Sequence, residues 1–201
     1  VTDVPERPAG RIRWRRFLGI FAAGAIGAGG IMVAIAQEAL AVSFAVAGTP
    51  LKTTADQLNG YGFVAYGAID HEINGRLHPV LVNAFRRATL DNFCQSVTTP
   101  VPILGSVTLR TTAPHVYAEN LGVDVELILG TVTYHDVEIN RDASTLTDGP
   151  PGARGVPGTS GTQAAAVNVK DLRQIAWATV ADTLRLSDSK TIVLIGNHPC
   201  F

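Results

Sequence analysis

The sequence predicts a single, mainly β domain of antiparallel strands, sandwich- or barrel-like, behind an N-terminal signal or anchor helix. Three observations predict it. Apolar residues alternate with polar ones at period two in many segments. Turn residues punctuate those segments. One long uncharged stretch near the start has a different composition from everything after it.

The alternating, β-branched segments are Val42 to Ala47, Phe63 to Ala68, Ser106 to Thr111, Gly122 to Leu129, Thr131 to Ile139 and Thr191 to Ile195. Each reads as a strand that buries one face. Asn59-Gly60, Asn74-Gly75, Pro100-Val101-Pro102, Gly105 and Gly130 read as turns between strands. No stretch after Ala41 has the spacing and caps of a long amphipathic helix. Runs beginning at Ala88, Ala118 and Ala178 look loosely alike, as coils of a β-solenoid would. Their spacing is irregular, which favours a sandwich or barrel over that alternative.

At 201 residues the chain fits one domain plus an appendage. Hydrophobic residues make up 46 % and charged residues 16 %, a balance that excludes a polar disordered protein and a charged coiled coil. Five arginines against Asp3, Glu6 and Glu38 give residues 1–41 a charge of +2, leaving −3 for the rest of a chain whose formal charge is −1. A mildly acidic domain lacks the basic stripe that phosphate neutralisation needs, so nucleic acid is excluded as a partner.

Residues 1–41 are expected to be a signal peptide or membrane anchor. Phe17 to Ala36 carries no charge and follows directly on Arg-Ile-Arg-Trp-Arg-Arg, so the arginines stay on the cytoplasmic side and the remainder is exported, with the membrane as a partner of this segment. Its length favours an anchor, since a spanning helix needs about 20 apolar residues. Its many glycines, and small residues at Ala39 and Ala41, favour cleavage, which would start the exported domain at Val42. The expected location is extracellular or in the cell envelope, with possible attachment to the outer face of the cytoplasmic membrane.

The two cysteines, Cys94 and Cys200, both fall in residues 42–201, where an oxidising compartment favours a disulfide. Closing a loop of roughly 100 residues is worth up to about 4.7 kcal/mol in the chain-entropy account. Two separate buried thiols are the alternative. Zinc is a weaker one, because Cys94, Cys200 and His198 lack the paired spacing of a four-ligand set.

No catalytic, cofactor or metal residues are assigned from the sequence. Gly-x-Ser-x-Gly, which places a nucleophile on an exposed elbow, is absent, and Ser160 lies in a Gly/Pro tract unsuited to preorganised catalysis. That tract has glycine at every third position from Gly149 to Gly161, far too few triplets for a collagen helix, and reads as a flexible loop over 148–162. Asp70-His71-Glu72 with His78 flanks Asn74-Gly75 and reads as a solvated hairpin tip. His135-Asp136 lies in an alternating segment, where one member faces outward. No Gly-rich loop joins a strand to a helix, so no nucleotide cofactor is expected.

The runs Asn92-Phe-Cys94-Gln-Ser-Val, Pro102-Ile-Leu-Gly-Ser-Val-Thr-Leu-Arg110, Glu119-Asn-Leu121 and Trp177-Ala-Thr179 resemble an uncharacterised actinobacterial family of exported proteins. The likeness runs from Arg13 to Cys200. Some members carry the automatic label "cholesterol esterase", so the resemblance implies a lipid-ester hydrolase as one activity, without implying catalytic residues.

The leading expectation is an exported, non-enzymatic β-domain offering an apolar surface or cleft to lipid or an envelope partner. A carboxylic-ester hydrolase with an unrecognised site is the second reading, and a structural surface component the third.

Overall fold

The computed structural model describes residues 45–103 and 105–201. The leader, with Ala39, Ala41 and Val42, lies outside the described residues. Within them the chain runs β1 (Ala45–Val46), β2 (Leu51–Glu72), β3 (Leu77–Val101), β4 (Gly105–Asp142), a 3-10 turn (Ala143–Thr145), β5 (Ser160–Val180), β6 (Thr183–Ser187) and β7 (Lys190–Ile195). No helix among the described residues is long and apolar enough to cross a membrane.

The long strands form an antiparallel meander, β2-β3-β4-β5, and β5 returns to pair with β2, so the sheet closes on itself as a barrel. Pairing keeps one register from Leu51↔Val97 to His71↔Leu77 between β2 and β3, and from Leu81↔Val125 to Val101↔Gly105 between β3 and β4. The closing ladder is short, Leu51↔Ala176 to Ala55↔Leu172. β6 and β7 continue the path of β5 along β4, through Glu119↔Thr183 and Val107↔Ile195. This is the barrel-like form of the expected antiparallel domain, not a solenoid.

Strands this long stay on a tight barrel only if they bend, and the inward side chains show how they do it. In β2 the buried inner positions are Thr53, Ala55, Leu58, Gly60, Phe63 and Ala65; in β3 they include Asn83, Phe85, Ala88, Leu90 and Phe93. The same spacing holds in β4 at Val116, Ala118, Leu121 and Val123, and in β5 at Val167, Val169, Leu172 and Gln174. Inward residues are thus two apart, then three, then two. Every third-residue step inserts an extra outward residue, which is the work of a β-bulge, and each bulge adds local bend and twist.

The bulges line up across β2, β3 and β4, whereas the β4–β5 ladder shifts register at Asp124/Val125, Val125/Leu127, Leu129/Thr131 and Ile139/Arg141. The ladders skip Ala55 and Asp56 with Asn92 and Phe93 between β2 and β3, then Asn92 with Pro114 between β3 and β4; they skip Gly62 with Arg86, then Arg86 with Asn120. Gly62, Asn92 and Asn120 have left-handed backbone, with φ of 63°, 52° and 47°, a conformation that glycine adopts freely and asparagine tolerates. Side chains tie these steps together: Asn92 Nδ2 donates to Asp56 Oδ2 at 2.7 Å and Asn120 Nδ2 to Asp182 Oδ2 at 2.7 Å. Because neighbouring strands gain a residue at the same place, inward residues still meet inward residues, as in Leu58↔Leu90 and Leu90↔Val116.

Several sequence-based assignments change accordingly. Ser106 to Thr111, Gly122 to Leu129 and Thr131 to Ile139 are parts of one strand, β4, and Gly130 is a bend within it (φ 147°) rather than a turn. Asn59-Gly60 is mid-strand; a Cβ at Gly60 would lie 2.4 Å from the Phe85 ring, so glycine there makes room for the core. The Gly/Pro tract differs from the loop expected over 148–162. Its last residues begin β5, Gly149 packs on Val64, and Arg86 donates to the carbonyls of Asp148 and Thr147 at 2.7 and 2.9 Å.

Cys94 and Cys200 form a disulfide, with Cα atoms 5.9 Å apart. It fastens the segment after β7 to β3, and hydrogen bonds repeat the attachment: Cys200 N donates to Ser96 Oγ, His198 N to Thr108 Oγ1, and Lys52 Nζ to the Phe201 carbonyl. Replacing both cysteines by serine should lower the unfolding free energy by about 3–5 kcal/mol, read from urea denaturation; an unchanged midpoint would mean that those hydrogen bonds alone hold the segment.

Candidate functional site

The inner face of the barrel encloses a cavity of about 110 Å³. Its walls follow from the bulge spacing, which turns Leu58, Phe63, Phe85, Leu90, Phe93 and Val116 inward on successive strands. Phe63 and Phe85 pack with ring centroids 5.2 Å apart, and Tyr134 of β4 closes on Phe63 at 5.9 Å. Partly exposed Leu81, Ile128 and Leu184 form the rim of the cavity.

Six side chains with a hydrogen-bonding group line the cavity, Tyr134 among them, and no charged one does. Gln95, Thr53 and Gln174 are cross-strand partners in one row across β3, β2 and β5. Asn83 and Thr179 flank Val123 in another, across β3, β4 and β5. None was singled out in the sequence, because a lone Asn, Gln or Thr in an alternating strand carries no sign of which face it occupies.

On the outer face, the residues expected as a solvated hairpin tip are built differently. Glu72 is buried. It accepts from Asn74 Nδ2 at 2.6 Å and pairs with His78 Nε2 at 2.7 Å, while His78 stacks on Trp177 at 3.6 Å and Trp177 Nε1 donates to Glu126 at 2.9 Å. β1 runs beside His71 and Glu72, and with Trp177 it excludes the water that a free tip would have. The hydrogen bond from His78 lowers the Glu72 pKa, with that from Asn74 adding to it. The arrangement locks the β2–β3 tip to β5.

Beside that lock, Asp124 has its pKa pushed up to about 6 by burial and then by Asp70, whose own pKa burial also raises. One Asp70 oxygen is buried without a hydrogen-bond partner. Among the described residues no group of three or more His, Cys, Asp or Glu side chains is arranged to hold a metal ion. His135 and Asp136 are both exposed; His135 meets Asn168 at 3.0 Å and Asp136 sits at a left-handed step. Ser160 opens β5 opposite Asp142.

A further constellation emerges only from register. Asp91 pairs with His115 across β3 and β4, and His115 with Ser187 across β4 and β6, so Asp, His and Ser lie in one transverse row. His115 Nδ1 is 2.8 Å from Asp91 Oδ1, and the His115 side chain is 74 % exposed. The three residues are far apart in sequence, in segments with no motif, so nothing short of the pairing reveals them.

Residues 47–201 match a family of unknown function. The chain belongs to DUF6230. The match covers the described barrel almost entirely, including both cysteines, every cavity-lining residue and the Asp91–His115–Ser187 row. No curated protein and no solved structure matches this DUF6230 chain.

The raised carboxylate sets a pH dependence of stability for this DUF6230 barrel. Asp124 binds its proton more tightly folded than unfolded, so its contribution is full below about 3.8 and is lost as pH rises through about 6. Asp124→Asn should therefore raise the unfolding free energy at neutral pH by about 1–2 kcal/mol after allowance for solvent screening. The gain should fade as pH falls toward 3.8. Urea titrations at several pH values read this directly, and a gain independent of pH would contradict it.

Proposed function

We propose that this DUF6230 protein is an exported envelope or extracellular binding protein that carries an apolar molecule in its barrel. One observation carries the reading: a closed antiparallel sheet surrounds a cavity lined chiefly by Phe, Leu and Val, and its only polar groups are uncharged. Such concave apolar sites with a few placed polar groups are what small-molecule binding requires. The disulfide is compatible with an oxidising compartment outside the cytoplasm, and the leader, read from sequence, would deliver the domain there. Binding needs no nucleophile, so the reading asks nothing of the sequence that it lacks.

The test is to isolate the full protein without detergent, extract it with organic solvent and analyse the extract by mass spectrometry, then titrate the emptied protein with the neutral fluorophore N-phenylnaphthylamine. A bound apolar molecule and saturable fluorophore binding are expected. Val116→Phe, which puts a ring into the cavity, should weaken fluorophore binding about tenfold or more while cooperative unfolding survives, since overpacking of this size costs about 1–3 kcal/mol. An empty barrel that binds nothing would refute the reading.

A second reading, ester hydrolysis, is favoured by the Asp91–His115–Ser187 row. With Nδ1–H directed to Asp91, His115 Nε2 would be left as an acceptor; Ser187, its neighbour in the row, makes no hydrogen bond to it, so the serine would have to rotate toward Nε2 to give up its proton as Oγ attacks an ester carbonyl, after which the alcohol leaves with that proton and water releases the acyl group. It stands second because the row is open to water and lies outside the cavity. A fluorophosphonate probe should label Ser187 in the native protein and not in Ser187→Ala; absence of labelling removes this reading.

A further inference from the structure

We infer that the barrel takes an uncharged ligand with an apolar body and one hydrogen-bonding group, recognised by Gln174, Gln95 and Thr53 or by Asn83. The inference rests on the binding reading above and names the ligand class for the same cavity.

The argument begins with unmet hydrogen bonds. Asn83 and Gln174 are only 7 % and 8 % exposed, both line the cavity, and neither side chain makes a hydrogen bond to another described residue. Gln95 makes one, to Thr53 at 3.5 Å, at the outer limit of useful length. The polar atoms of Asn83 and Gln174 keep a little accessible area on the cavity wall, so a hydrogen-bonding group placed in the cavity can meet them.

The chemistry of the partner follows from what surrounds it. An amide side chain offers both a donor and an acceptor, so a hydroxyl or an amide satisfies it in either orientation. A carboxylate or an ammonium would bring a charge into an apolar space whose lining holds no opposite charge, and burying an unpaired charge is far more costly than burying a neutral polar group. The enclosed volume, about 110 Å³, is smaller than the roughly 150 Å³ that accommodates a benzene ring. The barrel therefore encloses a short segment of the ligand, and the remainder leaves past the rim at Leu81, Ile128 and Leu184.

Displacement of N-phenylnaphthylamine from the full protein by octane, octanol, octanamide, octylamine and octanoate at neutral pH tests this. Octanol and octanamide should bind about fivefold more tightly than octane, the scale of one neutral hydrogen bond, and octanoate and octylamine about tenfold or more below octanol. Gln174→Leu or Asn83→Leu, whichever amide meets the head group, should bring octanol to the level of octane without weakening octane itself. Octanoate equal to octanol overturns the inference. So does octanol no better than octane, or a preference that survives both variants, in which case ordered water satisfies the amides. Those outcomes leave the binding reading standing, whereas failure of the fluorophore and of every octyl compound to bind overturns the binding reading itself.

Discussion

The structure depends on strands that step together. Where Asp56 faces Asn92 and Asn92 faces Pro114, and again where Gly62 faces Arg86 and Arg86 faces Asn120, adjacent strands each carry one extra residue at the same height. A bulge on one strand alone would slip the register and turn every later side chain to the opposite face. Matched bulges cancel that slip and keep only the bend. The row continues toward β5, where Asp171 (φ 55°) follows directly on the closing pair Ala55↔Leu172 and Gly130 of β4 lies across from the Asp171–Leu172 step. There the step is uneven, one residue on β4 against two on β5, so matched bending is shared by β2, β3 and β4, and strands as long as β4 can wrap a narrow interior instead of spreading into an open sheet.

That constraint also explains what the sequence does and does not disclose. Phe63 to Ala68 and Ser106 to Thr111 read as strands because each is short enough to contain at most one step. β3 escapes a period-two search because its inward residues Phe85 and Ala88, then Leu90 and Phe93, are three apart. Asn59-Gly60 resembles a turn because the chemistry that favours turns, a residue without Cβ beside an asparagine, is used here to admit the Phe85 ring. The disulfide was open to sequence reasoning because compartment and cysteine count bear on it directly. The cavity was not, since Asn83, Gln95 and Gln174 acquire meaning only when the fold turns them to the same interior.

Two polar environments in this barrel differ in a way that separates structure from binding. On the outside, Glu72 is matched by Asn74 and His78, with Trp177 covering the pair, and its pKa is lowered as expected for a carboxylate held by donors. Nothing is left over for a ligand. On the inside, the Asn83 and Gln174 amides face free volume and make no hydrogen bond to other described residues. A satisfied buried network stabilises and fixes a fold; polar groups left facing an internal space are free to meet what enters it.

The same comparison bears on why the interior is not simply filled. Larger apolar side chains on the inward rows would be the direct way to close the space, and barrels of this width are commonly filled by side chains. Here Leu58, Phe63, Phe85 and Phe93 instead leave about 110 Å³ between them, with the Asn83 and Gln174 amides on its wall, an opening that weakens packing. A purely structural barrel gains from neither feature. Both are accounted for together if the space is occupied by a molecule that restores the lost contacts along its apolar length and meets the amides at one end.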